Sequence, residues 1–230
     1  MFQNLMRDKL KIISKPSPNF DPRPTNIKPT IIVIHYTAML NTMDALDRLC
    51  DPESKVSSHY LIDKKGQIFS LVGDENRAWH AGIGVWQGCT DVNSSSIGIE
   101  LSNSGDEPYS FHLMESLVEL VQNIMKKWDI NPNNVIGHSD LAPDRKKDPG
   151  RYFDWAWLEY LGLTSTYLVS NSKKDFWECL RIIGYKTPVT DKHKDDLLEA
   201  FRTRYCINNL GSLDDRDILI ANGILKSLKK

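Results

Sequence analysis

The sequence predicts a mixed α/β domain of α+β character: a central mixed β-sheet flanked by helices, followed by a small C-terminal domain of three helices. Three observations lead there. Short β-branched runs such as Ile31-Ile32-Val33-Ile34 and Ile97-Gly98-Ile99 alternate with segments of helical spacing up to about residue 163, the pattern of strands and helices that share one core. A stretch rich in Ser and Thr, 163–171, interrupts that pattern. Beyond it, three short helical segments fill about 60 residues, within the usual size of a small domain.

The elements follow in order. Residues 1–29 are expected to form an extended arm, because Pro16, Pro18, Pro22, Pro24 and Pro29 are incompatible with helix or central strand. Thr30–Tyr36 reads as a buried strand and Asn41–Cys50 as a helix. Ser58–Asp63 and Gln67–Val72 flank Lys64-Lys65-Gly66 as a hairpin. Ser96–Leu101 is a further strand. Phe111–Trp128 is the longest helix, with Leu113, Leu117, Leu120, Val121 and Ile124 at helical spacing. Val135–Gly137 is a short strand that runs straight into His138, and Asp154–Tyr160 a short helix. The helices predicted after the linker are 173–183, ending before Gly184, then 191–204, and 214–222 with Asp214 as cap. The organisation expected is therefore arm 1–29, main domain 30–163 and helical domain 172–230.

Bulk properties narrow the function. A formal net charge of −1 over 230 residues points to neither nucleic acid nor an anionic membrane. No apolar run approaches the ~20 residues of a membrane span. Residues 1–14 carry Arg7, Asp8, Lys9 and Lys11 in place of an apolar signal segment. Cys50, Cys89, Cys179 and Cys206 form no C-x-x-C pair and read as free thiols of a reducing compartment. A cytoplasmic protein is expected, with the periplasm or secretion as the alternative.

The chemistry concentrates in two places. His35 ends the first apolar strand, and His138 opens His138-Ser139-Asp140, ten residues before Asp148-Pro149-Gly150. Strand ends of one sheet can converge, and two imidazoles with one carboxylate suit a catalytic zinc ion with a fourth position for water. Glu100 lies on a strand among apolar neighbours, which costs energy unless the carboxylate has a partner or a task; near zinc it is placed to act as general base. Of the adjacent Lys146 and Lys147, one should face inward to stabilise an oxyanion, and spacing does not choose between them. Arg145 has the fork to bind a substrate carboxylate. His112 and His193 read as surface residues, and His59 and His80 as residues behind or beside the site. No H-E-x-x-H or G-x-S-x-G occurs, and Gly82-Ile83-Gly84 with Gly88 has the wrong spacing for a dinucleotide loop.

Five segments resemble, in order, a known family: Ile32–Thr37, Ser57-Ser58-His59-Tyr60, Arg77-Ala78-Trp79-His80-Ala81-Gly82, Ser96–Leu101, and Gly137-His138-Ser139-Asp140 through Arg145-Lys146-Lys147-Asp148-Pro149-Gly150. They are similar to the zinc-dependent N-acetylmuramoyl-L-alanine amidases of the type-2 family, whose fold is shared with peptidoglycan recognition proteins; within it they look like the AmiD and AmpD types. The resemblance covers roughly residues 28–162. It implies that His35, His138 and Asp148 hold one zinc ion, that Glu100 and Lys146 are catalytic, which settles the choice against Lys147, and that Trp79, His80 and Arg145 line the substrate groove. It also implies hydrolysis of the amide between N-acetylmuramic acid, in intact or 1,6-anhydro form, and L-alanine of peptidoglycan or muropeptides. Two alternatives belong to other classes: a muropeptide-binding module of the same fold that does not cut, and a zinc peptidase acting within the stem peptide. Leu180–Tyr185, Ala200-Phe201 and Leu210-Gly211 resemble the small three-helix peptidoglycan-binding modules of wall hydrolases. A helical cap that only stabilises the main domain is the other reading of that segment.

Overall fold

The computed structural model describes residues 11–228; the first ten residues of the expected arm and the last two of the helical segment lie outside it. In chain order the elements are β1 (Ile12–Ser14), β2 (Phe20–Pro22), β3 (Ile31–Tyr36), α1 (Thr42–Cys50), β4 (Tyr60–Ile62), β5 (Ile68–Ser70), β6 (Asn76–Ala78), α2 (Val92–Ser95), β7 (Ser96–Leu101), α3 (Phe111–Trp128), β8 (Val135–Gly137), α4 (His138–Leu141), α5 (Trp155–Tyr160), α6 (Phe176–Ile183), α7 (Asp191–Tyr205) and α8 (Asp215–Ser227).

The sheet is mixed, as the sequence predicts, with strand order β1-β5-β4-β7-β3-β8. β4, β7, β3 and β8 run parallel, while β5 returns antiparallel to β4 as the expected hairpin. Strand alternation divides the core in two. Ile32, Ile34, Ile97, Ile99 and Leu101 face Leu113, Leu117 and Val121 of α3. Ile31, Val33 and Ile136 face the other way, toward Trp86 and the helices α6, α7 and α8. Both faces are covered, which is why β3 is a continuous apolar run instead of an alternating one. Each fully buried Leu or Ile in these layers contributes about 1.5–3 kcal/mol.

Caps set the helix limits. Asn41 accepts from Met43 N–H to start α1, and Ser110 accepts from Leu113 N–H to start α3. Asp129, in the left-handed region at φ 56°, ends α3. The C-terminal helices join the core of the main sheet: Phe176, Leu197, Phe201 and Ile220 belong to one cluster with Ile31, Val33 and Leu141.

Several short elements differ from expectation. β2 lies within the proline-rich arm and pairs antiparallel with β6; neither has an apolar period to announce it. His138, expected at the end of a strand, opens a single helical turn, α4. α8 runs to Ser227, five residues past the expected 222, because the Asp214 cap precedes an apolar stripe that continues through Ile224. Among the described residues no helix is long and apolar enough to cross a membrane.

Candidate metal centre

Three neighbouring parallel strands deliver the site at one edge of the sheet. His35 pairs with Glu100 across β3 and β7, and Ile34 pairs with Gly137 across β3 and β8, so His138 follows immediately. Ligand sites gather at this carboxyl end of parallel strands. Alternation puts His35 on the side of Ile31 and Val33, and Glu100 on the side of Ser96 and Gly98, both away from α3.

The turn that carries Asp148 is braced on three sides. Ser139 N–H donates to Asp148 O at 2.9 Å, and Tyr109 OH donates to Pro149 O at 2.8 Å. The Asp148-Pro149 peptide is cis. Gly137 makes room for the ring: a Cβ there would lie 2.6 Å from Pro149 Cδ. In α4, the Asp140 carboxylate accepts from Gly137 N–H at 2.8 Å and from Arg204 Nη1 at 2.6 Å, while Tyr185 OH donates to its other oxygen at 2.6 Å. Two residues of the C-terminal segment therefore grip the turn that presents His138.

Three buried donor atoms converge: His35 Nδ1 and His138 Nδ1 are 2.9 Å apart, and Asp148 Oδ2 lies 2.9 Å from the first and 3.0 Å from the second. His138 Nε2 faces Ala81 O at 2.9 Å, which a ring N–H must donate to. His35 Nε2 faces His80 Nδ1 at 3.0 Å. With Nε2 carrying the proton, a neutral imidazole has only a lone pair at Nδ1. Three lone pairs packed this closely repel one another unless a proton or a cation joins them, and two nitrogens with one carboxylate oxygen are a donor set that zinc accepts. The residues fit the group. His35, His138 and Asp148 are a set that could hold a metal among the described residues.

Electrostatics separates the acids. Burial raises Asp148, but contacts with His138 and His35 outweigh it and hold the carboxyl well below its ordinary range. Burial and the charge of Asp148 push Glu100 up to about 8, with Lys146 opposing. Glu100 Oε2 is buried and has no hydrogen-bond partner, an unspent acceptor beside the donor set. Burial and His138 push His35 down to about 4, favouring the neutral, ligating form.

A cavity of about 430 Å³ opens over these groups, lined by His35, Glu100, His138 and Asp148, with Tyr36, Arg48, Arg145, Lys146 and Lys147 around them. That volume suits a small molecule or a short fragment of a polymer. The two lysines differ: Lys147 Nζ is held by Glu199 of α7 at 2.8 Å, whereas Lys146 is electrostatically coupled to Glu100. Arg145 Nη2 donates to Ala81 O at 2.6 Å and its Nε to Ile83 O at 2.7 Å, so part of its fork is spent on backbone. Trp79 and His80 are not in the cavity lining. Trp79 Nε1 donates to Asp21 of the arm at 2.7 Å, and His80 stands behind His35 with its Nε2 3.2 Å from Ser96 Oγ. Ser96 and Asp140 are supports that sequence reasoning passes over, although Ser96 shares strand parity with Glu100.

The family described as N-acetylmuramoyl-L-alanine amidase matches residues 25–151. N-acetylmuramoyl-L-alanine amidase AmiD of Escherichia coli (strain K12) is 39% identical over 150 residues, which is 58% of this chain and 53% of that protein; the match thus spans about half the length of that relative. The 1,6-anhydro-N-acetylmuramyl-L-alanine amidase AmpD of Haemophilus influenzae is 37% identical over 157 residues, 60% of this chain and 85% of that one. Among solved structures, E. coli AmiD in complex with the substrate anhydro-N-acetylmuramic acid-L-Ala-D-γ-Glu-L-Lys superposes with a TM-score of 0.77 at 31% identity, covering 90% of each chain.

Proposed function

The chain belongs to the N-acetylmuramoyl-L-alanine amidase family, and on that premise we propose that it is a zinc hydrolase that cleaves the amide between N-acetylmuramic acid and L-alanine in muropeptides, including those ending in the 1,6-anhydro sugar. The observation that carries this reading is the convergence of His35 Nδ1, His138 Nδ1 and Asp148 Oδ2 at 2.9–3.0 Å. These three residues would hold the metal. When bound, zinc supplies Lewis acidity, makes water a better nucleophile and offsets the Asp148 charge that raises Glu100.

The other roles fall to this chain's own groups. Glu100 takes the proton from the attacking water and delivers it to the amine of L-alanine as the amide breaks. Its unpartnered Oε2 leaves an acceptor open for that proton. The Lys146 ammonium stabilises the oxyanion that develops on the lactyl carbonyl. Arg145, tied to the carbonyls of Ala81 and Ile83, borders the groove and offers its remaining N–H groups to a stem-peptide carboxylate. Trp79 and His80 shape the wall from behind the first layer of residues. We assign the reaction to the cytoplasm, a reducing compartment in which the four cysteines stay thiols. For the C-terminal helices the shared core and the grip of Arg204 and Tyr185 on Asp140 support the role of a buttress.

The test is incubation with a purified anhydro-muropeptide, with and without chelator, followed by mass analysis. Free stem peptide bearing an N-terminal L-alanine is expected, its release stopped by chelator and restored by zinc. Intact muropeptide despite bound zinc would leave a binding module; a cut inside the peptide would make the protein a peptidase.

A further inference from the structure

We propose that His80 is a positioning residue: its own tautomer fixed by Ser96, it locks His35 in the one tautomer whose Nδ1 is free to bind the metal. This rests on the reading of His35 as a zinc ligand given above.

The argument is a count of hydrogens. Ser96 Oγ lies 2.6 Å from Val92 O, a carbonyl that can only accept, so the single hydroxyl hydrogen is spent there. Toward His80 Nε2, at 3.2 Å, Ser96 Oγ therefore accepts. His80 then carries its proton on Nε2 and presents a bare Nδ1. That Nδ1 faces His35 Nε2 at 3.0 Å, so His35 donates and must carry its proton on Nε2. The lone pair of His35 is left on Nδ1, 2.9 Å from both His138 Nδ1 and Asp148 Oδ2. Donation runs from His35 through His80 and Ser96 to Val92, with no free choice at any step. The opposite tautomer would put an N–H at the centre of the donor set and shut the metal out. Which nitrogen of a ligating histidine is protonated is set by the bond its other nitrogen makes, and such outer partners tune affinity.

The packing is built for this contact. The His80 ring lies on Gly98, where a Cβ would come within 2.5 Å of His80 Cγ. His35 and His80 meet edge to face, their centroids 5.1 Å apart at 81°. His138 gets the same treatment from a fixed acceptor, Ala81 O, so each histidine has its own lock. Ser96, Gly98 and Glu100 share one face of β7, so a single strand carries the end of the relay, its seat and the proposed base.

The experiment measures zinc affinity by chelator competition, and the protonation of the His35 nitrogens by ¹⁵N spectra of the metal-free protein, in wild type and three variants. His80→Leu, which removes the acceptor, is expected to weaken zinc about 10- to 100-fold and to populate Nδ1–H on His35. His80→Asn, whose Oδ1 takes the place of Nδ1, is expected to retain most of the affinity and the Nε2–H form. Ser96→Ala leaves the ring in place but frees its tautomer, and is expected to weaken zinc in the same direction. Unchanged zinc affinity in His80→Leu and Ser96→Ala, with wild type binding zinc, overturns the role of His80 alone. If His35→Ala binds zinc as tightly as wild type, the reading of the metal site fails and the positioning role with it. Should His80→Leu fail to fold, the Ser96→Ala affinity decides.

Discussion

Arg204 and Asp140 form a buried ion pair, Nη1 to Oδ2 at 2.6 Å, that ties helix α7 to the helical turn beginning at His138. The guanidinium also donates to Val135 O, Thr164 Oγ1 and Ser165 Oγ. It thus joins strand β8, the linker and the turn in one contact. Arg204→Met would strand the Asp140 charge, and breaking a buried pair by removing one partner costs about 3–5 kcal/mol. Tyr185→Phe removes one hydrogen bond to the same charged carboxylate and is expected to cost about 1.5–3 kcal/mol. Denaturant unfolding of both variants checks this; wild-type stability in Arg204→Met would show that the C-terminal helices do not brace the site.

Zinc should stabilise the fold as well as enable activity. A ligand bound only to the native state at 100 times its Kd adds about 2.7 kcal/mol. Thermal unfolding of chelator-treated protein should therefore move up on adding zinc. The shift should vanish in His138→Ala and Asp148→Ala, whose donor atoms meet at 3.0 Å in the wild type. A shift that survives both substitutions would place the ion elsewhere.

Glu100→Gln is expected to lower kcat by about 10²–10⁴-fold, the range typical of a positioned proton-transfer group, and Lys146→Met by about 10²–10³-fold, the range for loss of one oxyanion donor. Zinc content measured on the same samples should stay at the wild-type level, since neither residue belongs to the donor set. Lys147→Met should cost far less in kcat, because its ammonium is held by Glu199. Equal losses in the two lysine variants would undo the assignment of Lys146.

Two buried groups give stability opposite pH slopes in the metal-free protein. Burial, then Arg23, pushes His59 down to about 3 from 6.5. The fold keeps this ring neutral, so its contribution is whole above about pH 6.5 and is lost as pH falls toward 3. His59→Asn should flatten the acid limb. Burial, then Asp148, pushes Glu100 up to about 8 from 4.5. The fold favours the neutral acid, so that contribution is whole below about pH 4.5 and lost as pH rises to 8. Urea unfolding across pH 4–9 should show Glu100→Gln gaining on wild type through that window. A constant gap between the two would refute the assignment.

Parts of this architecture are open to reading from residue order alone, and others are not. β3 is legible because β-branched residues fill both faces of a covered strand, β7 because Ile97 and Ile99 alternate with Ser96, Gly98 and Glu100, and α3 because five apolar residues keep helical spacing. His35 and His138 can be singled out because each sits where an apolar strand ends, Glu100 because a carboxylate among apolar neighbours costs energy, and Asp148 because it opens the Asp148-Pro149-Gly150 turn. The meeting of His35, His138 and Asp148 within 3.0 Å is a product of strand register and of the turn that carries Asp148, which no local pattern encodes. β2 and β6 are invisible for a similar reason: Phe20-Asp21-Pro22 and Asn76-Arg77-Ala78 have no apolar period and become strands only by finding each other. The turn α4 is too short for periodicity and is set by Asp140, two of whose three partners, Tyr185 and Arg204, come from the far C-terminal segment. His80 takes its place behind His35 only because Gly98 lacks a side chain.

The two faces of β7 impose a rule of parity on how this chain can change. Ser96, Gly98 and Glu100 look toward the donor set while Ile97, Ile99 and Leu101 look into the core. Loss or gain of one residue inside the strand would turn the carboxylate into the apolar layer and an isoleucine into the cavity, since side chains alternate with a period of two. Insertions and deletions there can be inherited only in twos, whereas the exposed Gln122 and Asn123 of α3, across the sheet from the donor set, are free to be substituted one at a time.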